Sequence, residues 1–446
     1  MNAASNSLTD SSCNLRSCLA GDDLVSVIQD EKPILAAKIA EQADDLTIKL
    51  RTLKAGRVAL ATQRADIIFA ALSACQIARK QLLLLRESYP VNDPVWANWG
   101  VGCLLDDDLC ETPLTTEGSL LAEAGVLLST SGTTGKPKIA LHDLGRLLGR
   151  IRPPRAAASE ERWLLTYHPA SFAGMQVLLT ALSSRSQLIA TKRQTTSLLT
   201  EAAVQFLPTH ISGTPTFWRS FLLAVAPHSN RLPLRQITLG GESVDQHTLD
   251  QIRSVFPTAR VSHIYASTEA GALFAVKDGR AGFPAQWLQD GIDGVQLRIR
   301  DGVLEVLSPR AMRSYLGAGP QSNQLDGEWM ITGDMVELVD DRVLFRGRLD
   351  DLINVGGAKV MPEQVESALL RVPCVREARV YGIRNPLTGA LVAADIVLAH
   401  PQPEDKARRE IVQHVSSSLE SHKRPRIINF VAAIPVNAMG KKTRTP

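Results

Sequence analysis

The sequence predicts an α/β protein in which a large N-terminal domain of packed α/β subdomains, with a small β-rich part, precedes a small mobile α+β domain. Three observations support this. Apolar runs of strand length alternate with apolar segments at helical spacing in the N-terminal part, as in sheets covered on both faces. The apolar run Gly125-Val126-Leu127-Leu128 opens directly into a loop dense in hydroxyls, glycines and lysines. After a polar stretch near residue 350, one helical pattern followed by two alternating runs outlines a separate α+β unit.

Length and composition set the bounds. At 446 residues the chain exceeds one ordinary core, and 44% hydrophobic with 21% charged residues is the balance of a globular protein. The net charge of +3 comes from basic residues interspersed with acidic ones, which argues against a nucleic-acid surface. Cys13, Cys18, Cys75, Cys103, Cys110 and Cys374 show no paired C-x-x-C spacing, so neither a zinc site nor a disulfide framework is expected. No apolar run approaches the roughly 20 residues of a membrane span. The first twenty residues are rich in Ser and Asn and lack a signal-peptide core, so a frayed end over about residues 1–22 and a cytoplasmic location are expected.

Taken in order, Ile34, Leu35, Ile39, Ala40, Leu46 and Leu50 recur at helical spacing over 32–53, and residues 56–61 read as a strand. Residues 67–75 give a second apolar helix and 81–85 a strand. Residues 163–169 read as a strand and turn, and 175–182 as an apolar helix. The run at 234–239 leads into Gly240-Gly241-Glu242, and 261–264 is another strand. At 295–306 the Asp301-Gly302 turn between alternating runs marks a hairpin. Pro362 opens a helix over 362–370, and 375–383 and 391–398 alternate as strands.

The loop after residue 128 carries the chemistry. Ser129, Thr130, Ser131, Gly132, Thr133, Thr134, Gly135, Lys136, Pro137 and Lys138 combine glycines that admit close backbone approach, neutral hydroxyl donors and mobile cations. That is a cradle for a polyphosphate. Its glycine spacing and the proline after Lys136 exclude the G-x-x-x-x-G-K-[ST] loop, and no G-x-G-x-x-G is present.

Four more motifs come after it in order. Tyr265-Ala266-Ser267-Thr268-Glu269-Ala270-Gly271 offers an aromatic face, a hydroxyl and a carboxylate; residues 327–334 end in Thr332-Gly333-Asp334; residues 347–360 hold Arg348, Asp350, Gly356, Gly357 and Lys359; and Gly440-Lys441 closes the chain. With the loop, these resemble the ordered motifs of the adenylate-forming superfamily of acyl- and aryl-CoA ligases, peptide-synthetase adenylation domains and luciferases. The resemblance spans roughly 32–444, with an abbreviated N-terminal region and Ala266 where the family has glycine.

The resemblance implies ATP-dependent activation of a carboxylic acid and transfer of the acyl group to coenzyme A. It implies that Thr130, Ser131, Gly132, Thr133, Thr134, Gly135, Lys136, Lys138, Gly241, Glu242, Tyr265, Ala266, Ser267, Asp334 and Arg348 bind ATP, with Asp334 on the ribose. Lys441 and Thr268 would be catalytic, and Glu269 would act with them and hold Mg2+. A domain of residues 1–347 would be joined through a hinge at 348–350, centred on Asp350, to a domain of residues 351–446. Gly356, Gly357 and Lys359 would line the thiol's path. The acid pocket would be formed by His168, Phe172, Gly174, Thr214, Gly240 and Ala270, with either His168 or Phe172 as its gate. Two other readings stay open at this point: a stand-alone ligase that loads the phosphopantetheine of an acyl carrier protein, and a non-catalytic nucleotide-binding protein.

Overall fold

The structure is a computed structural model and describes residues 14–19, 24–114, 123–130, 138–149, 151, 160–316, 329–386 and 389–435. By packing, the chain divides into two compact units: Met1–Gly241 with Arg253–Leu273 and Ser308–Glu328, and Glu242–Ile252 with Phe274–Leu307 and Trp329–Pro446. Residues 274–307 and 329–348 thus pack with the C-terminal part.

The first unit holds two large sheets. One runs, in spatial order, Ser314–Tyr315, Lys138–Asp143, Gly125–Thr130, Gln81–Leu85, Arg57–Ala61, Cys103–Leu105 and Glu111–Pro113. The parallel strands at its centre are continuous apolar runs because both faces are covered; every residue of Gln81–Leu85 is buried. The other sheet is parallel through Arg260–Ser267, Gln236–Gly240, His210–Gly213, Arg162–Leu165, Gln187–Ala190 and Val25–Gln29. The helices Ala65–Ala78 and Phe172–Ser183 contribute to a core that also takes side chains from both sheets.

In the second unit the strands Phe283–Pro284, Arg342–Arg348, Met330–Val339, Val303–Leu307 and Gln296–Arg300 form an antiparallel sheet. Its Gln296–Arg300 and Val303–Leu307 hairpin turns at Asp301-Gly302, as expected from the D-G signal. A second sheet carries Ile353–Val355, Ala358–Val360, Val375–Asn385 and Gly389–Leu398, with Ile427–Phe430 parallel to the last. The helices Pro362–Leu369 and Glu404–Ser418 bury Val365, Leu369, Ile411 and Val415 in its core.

Two local expectations are corrected. Residues 32–35 are a strand, Lys32–Leu35, paired antiparallel with Val25–Gln29 through a two-residue turn whose Asp30 and Glu31 have φ of 50° and 68°. The helix begins only at Ala36, since Pro33 removes a backbone donor and suits an edge strand. The frayed end predicted over about 1–22 fails at residues 14–19. Leu15–Cys18 is a helical turn capped by the Asn14 side chain, and Leu15, Cys18 and Leu19 are buried.

Candidate active site

The phosphate loop itself, Ser131, Gly132, Thr133, Thr134, Gly135 and Lys136 with Pro137, lies outside the described residues, as does Lys441. The loop's two stems are described. Thr130 ends the strand Gly125–Thr130, and Lys138 begins its antiparallel neighbour. The Thr130 hydroxyl donates to the Lys138 carbonyl across 3.4 Å, closing the neck of the loop.

A residue that the sequence reading missed stands at that neck. Tyr315, in the two-residue strand Ser314–Tyr315, pairs opposite Ala140. Its hydroxyl donates to Glu269 Oε1 at 2.7 Å, and Lys138 Nζ lies 5.4 Å from the centre of its ring. Thr130 is a further hydrogen-bond partner of the phenol. Burial, and then the Glu269 charge, push the Tyr315 pKa far up, so it remains a donor. One phenol therefore touches both loop stems and the predicted metal-binding carboxylate. The only sequence signal was a lone Tyr before a polar stretch.

The turn that presents Thr268 and Glu269 comes after a strand longer than expected, Arg260–Ser267, which takes in Tyr265, Ala266 and Ser267. The turn is braced on each side: Ser267 Oγ accepts from Ala270 N–H at 2.9 Å, the Ala270 carbonyl accepts from Ser308 Oγ at 2.9 Å, and the Glu269 carbonyl accepts from Met312 N–H at 2.8 Å. At Gly271, φ of +75° and a position against the Arg310 carbonyl leave no room for a Cβ. His142 reaches the turn from the strand after the loop. It hydrogen-bonds the Thr268 backbone, its ring centre lies 5.5 Å from that of Phe172, and burial first holds its pKa down to about 4.

The predicted acid-pocket residues belong to neighbouring strand ends of this unit. His168 stands just beyond Arg162–Leu165. Its ring Nδ1 accepts from Ala170 N–H at 3.1 Å, and Gly174 packs so tightly on the His168 carbonyl that any side chain would collide with it. Phe172 opens the helix Phe172–Ser183, capped by Ser171, and is buried. Thr214 caps the helix Pro215–Val225 through its hydroxyl at 3.0 Å from Phe217 N, and the Gly240 carbonyl accepts from Tyr167 Oη at 3.3 Å. Gly241 comes next with φ of +85°, its Cα beside Thr214, and Ala270 is buried in the turn.

In the second unit Glu242 is half-buried, and Asp334 and Arg348 pair across the strands Met330–Val339 and Arg342–Arg348. Arg348 Nη1 donates to Asp334 Oδ1 at 3.0 Å. Asp350 is exposed in the turn Leu349–Asp351. Gly356 and Gly357, with φ of 60° and 87°, form the two-residue turn between Ile353–Val355 and Ala358–Val360, with open space where side chains would be. The turn geometry alone calls for both glycines. Lys359 is exposed beside it.

Glu269 stands without a cluster around it: among the described residues no group of three or more His, Cys, Asp or Glu is placed to hold a metal ion. A single carboxylate fits magnesium, which keeps most of its waters and takes the rest of its shell from phosphate oxygens.

The order of these elements matches known families. The family of AMP-binding enzymes matches residues 105–311, and the C-terminal domain of AMP-binding enzymes matches residues 364–441, ending on Lys441. The chain belongs to the adenylate-forming superfamily.

Within that superfamily it is similar to enzymes named as acid–thiol ligases. The mouse mitochondrial acyl-coenzyme A synthetase ACSM4 is 26% identical over 90% of this chain and 72% of its own length. The 2-succinylbenzoate–CoA ligase of Bacillus licheniformis is 26% identical over 75% of this chain and 72% of its own. Among solved structures, the anthranilate CoA ligase AuaEII in complex with anthranoyl-AMP superimposes with a TM-score of 0.79 at 18% identity, covering 96% of this chain and 95% of its own. A benzoate CoA ligase from Burkholderia xenovorans does so at 0.79 and 19%, covering 97% and 99%. These likenesses establish the shared fold. The chain is an adenylate-forming, AMP-producing ligase, and among its described residues no helix is long and apolar enough to cross a membrane.

Proposed function

We propose that the protein joins a small carboxylic acid to the thiol of coenzyme A in two steps at one site, in the cytoplasm. In the first, a carboxylate oxygen attacks the α-phosphorus of ATP, the bond to the β-phosphate oxygen breaks, and pyrophosphate leaves. In the second, the thiol attacks the acyl carbon, AMP leaves, and a thioester forms.

The observation that carries this reading is the Tyr315 phenol, held between Thr130, Lys138 and Glu269 at the neck of the phosphate loop. The stems of the expected phosphate loop and a carboxylate are linked through it, an arrangement that would suit transfer at an α-phosphate. Charge accumulates on oxygens in that transfer, so positioning and electrostatics are the main contributions asked of the protein. Ser131 to Lys136 and Lys138 would hold the phosphates, Tyr265 and Gly241 the adenine, and Asp334 and Arg348 the ribose. Glu269 would hold magnesium, which would supply compensation of the triphosphate charge. Lys441 would bridge the carboxylate and the α-phosphate, and a turn about Asp350 would then withdraw it and bring Gly356, Gly357 and Lys359 to the thiol.

The test is Lys441→Ala. It should abolish acid-dependent pyrophosphate release while sparing thioester formation from a supplied acyl-adenylate; unchanged release would remove the assignment. Running the second step with free coenzyme A and with a phosphopantetheinylated carrier protein identifies the acceptor.

A further inference from the structure

Arg86 and His168 each bury a ring or guanidinium nitrogen that no described residue satisfies. Arg86 stands one residue beyond Gln81–Leu85, the strand next to the phosphate-loop strand. Their parallel register, from Gln81 opposite Gly125 to Leu84 opposite Leu128, continues to bring Arg86 level with Thr130, where the loop begins. Alternation along the strand sends Leu82 and Leu84 into the core shared with Tyr167, Ala170 and Phe172, and Leu83 and Leu85 to the opposite face. Arg86 continues the first set, and its charge acts on His168. Each residue stands beyond the carboxyl end of a parallel strand, Arg86 after Gln81–Leu85 and His168 after Arg162–Leu165, where α/β sheets take their ligands.

Geometry fixes what the pair offers. Because His168 Nδ1 accepts from Ala170 N–H, the neutral ring carries its proton on Nε2, which is a donor. Arg86 Nε–H is a donor as well. Both are buried, and among the described residues the Arg86 guanidinium has no hydrogen bond or ion pair. A buried donor left unsatisfied is costly, and a charged one more so. Two such donors, one cationic and near enough for its charge to act on the other, mark a place for an oxygen acceptor that arrives with a ligand.

We propose that Arg86 and His168 select acids carrying a second oxygen acceptor, a further carboxylate or an acidic hydroxyl, away from the carboxylate that reacts. This rests on the reading that the protein activates a carboxylic acid. The reacting carboxylate suits the pair less well, because adenylation removes its charge and would leave Arg86 uncompensated.

The experiment is ATP–pyrophosphate exchange by the full-length protein, comparing benzoate with 4-hydroxybenzoate and terephthalate, and hexanoate with adipate. The substituted acids should be preferred in kcat/KM. Arg86→Gln should lower kcat/KM for them by about ten- to a hundredfold, the range of a hydrogen bond to a charged group, with little change for the plain acids. Arg86→Lys should retain part of the preference, and the KM for ATP should stay put in both variants, which also reports an intact fold. Comparison of the hydroxyl and carboxylate arms identifies the group bound. Equal handling of plain and substituted acids by the wild type overturns the proposal, as does an equal loss for every acid. A change that falls on the KM for ATP also overturns it and marks a phosphate site. Exchange with no acid at all sinks the ligase reading and this one together; exchange without the preference sinks this one alone.

Discussion

The Tyr315 hydroxyl donates to Glu269 Oε1 across 2.7 Å, joining residues 46 positions apart in the chain. Its burial keeps the phenol protonated, so Glu269 always has that partner and its free oxygen has one fixed direction.

Tyr315→Phe keeps the ring beneath Lys138 and deletes only the donor. It should raise the magnesium concentration at half-maximal pyrophosphate release and lower kcat/KM for ATP by about tenfold, as for loss of one hydrogen bond to a charged group. A magnesium titration superimposable on the wild type would show that the phenol does not orient Glu269.

Gly271 and Gly302 share a φ of +75° but differ in surroundings. A Cβ at Gly271 runs into the Arg310 carbonyl, and Arg310 cannot yield because its guanidinium is tied to the Ala272 and Leu273 carbonyls at 2.7 and 2.9 Å. At Gly302 the nearest atom is the flexible end of Met335, at 3.6 Å. Gly302→Ala should cost about 1 kcal/mol and Gly271→Ala at least about twice that. Urea unfolding of the two variants measures the difference, and equal losses would contradict the clash.

Stability should fall in mild acid. Burial, with Arg86 a secondary cause at His168, holds His142 and His168 down to about 4, whereas an unfolded chain protonates them near 6.5. Between those values the unfolded state binds more protons, so the contribution is complete above pH 6.5 and is lost as pH falls toward 4. From pH 7 to 5 each histidine should cost about 2 kcal/mol. His142→Gln should remove about half of that pH dependence in urea unfolding, and an unaltered slope would exclude His142 as a source.

The second unit has a buried ion pair. Arg379 donates from Nε to Asp395 Oδ2 at 3.0 Å, and Asp395 Oδ1 accepts from Tyr381 Oη at 3.0 Å and Asn429 Nδ2 at 2.9 Å, with 7% exposure on both sides of the pair. Asp395→Asn leaves a guanidinium in the core without its counter-charge, a change that costs about 3–5 kcal/mol. Arg280→Ala breaks a pair whose side chains are 53% and 67% exposed and should leave the denaturant midpoint little changed. Denaturant midpoints of the two variants decide whether burial makes that difference.

How much of the fold was legible in the sequence depended on how local each signal was. Gln81–Leu85 and Ala65–Ala78 were readable because elements covered on all sides are written as unbroken apolar runs. The Asp301-Gly302 hairpin was readable because a two-residue turn dictates its own chemistry. Lys32–Leu35 was misread because Ile34 and Leu35 happen to continue the spacing of the helix behind them. Tyr315 and Arg86 escaped notice for a different reason. Each takes its meaning from a group carried by the other large sheet, Glu269 for one and His168 for the other, and no local pattern announces such a relation. Gly356 and Gly357 carried a clear signal with two causes, since turn geometry explains both glycines before any thiol is considered.

The short helix Leu15–Cys18 has a practical side. Its Leu15 amide donates to Gln76 Oε1 at 2.9 Å, Arg16 pairs with Asp44 at 2.8 Å, and the Ser17 carbonyl accepts from Arg185 Nη2 at 3.2 Å. Residues 14–19 are thereby tied to the helices Ala36–Thr52 and Ala65–Ala78 and to the turn after Phe172–Ser183. Trimming the chain through residue 19 would strip a plug from the hydrophobic interior, and a purification handle is better fused upstream of Asn14 than put in place of residues 14–19.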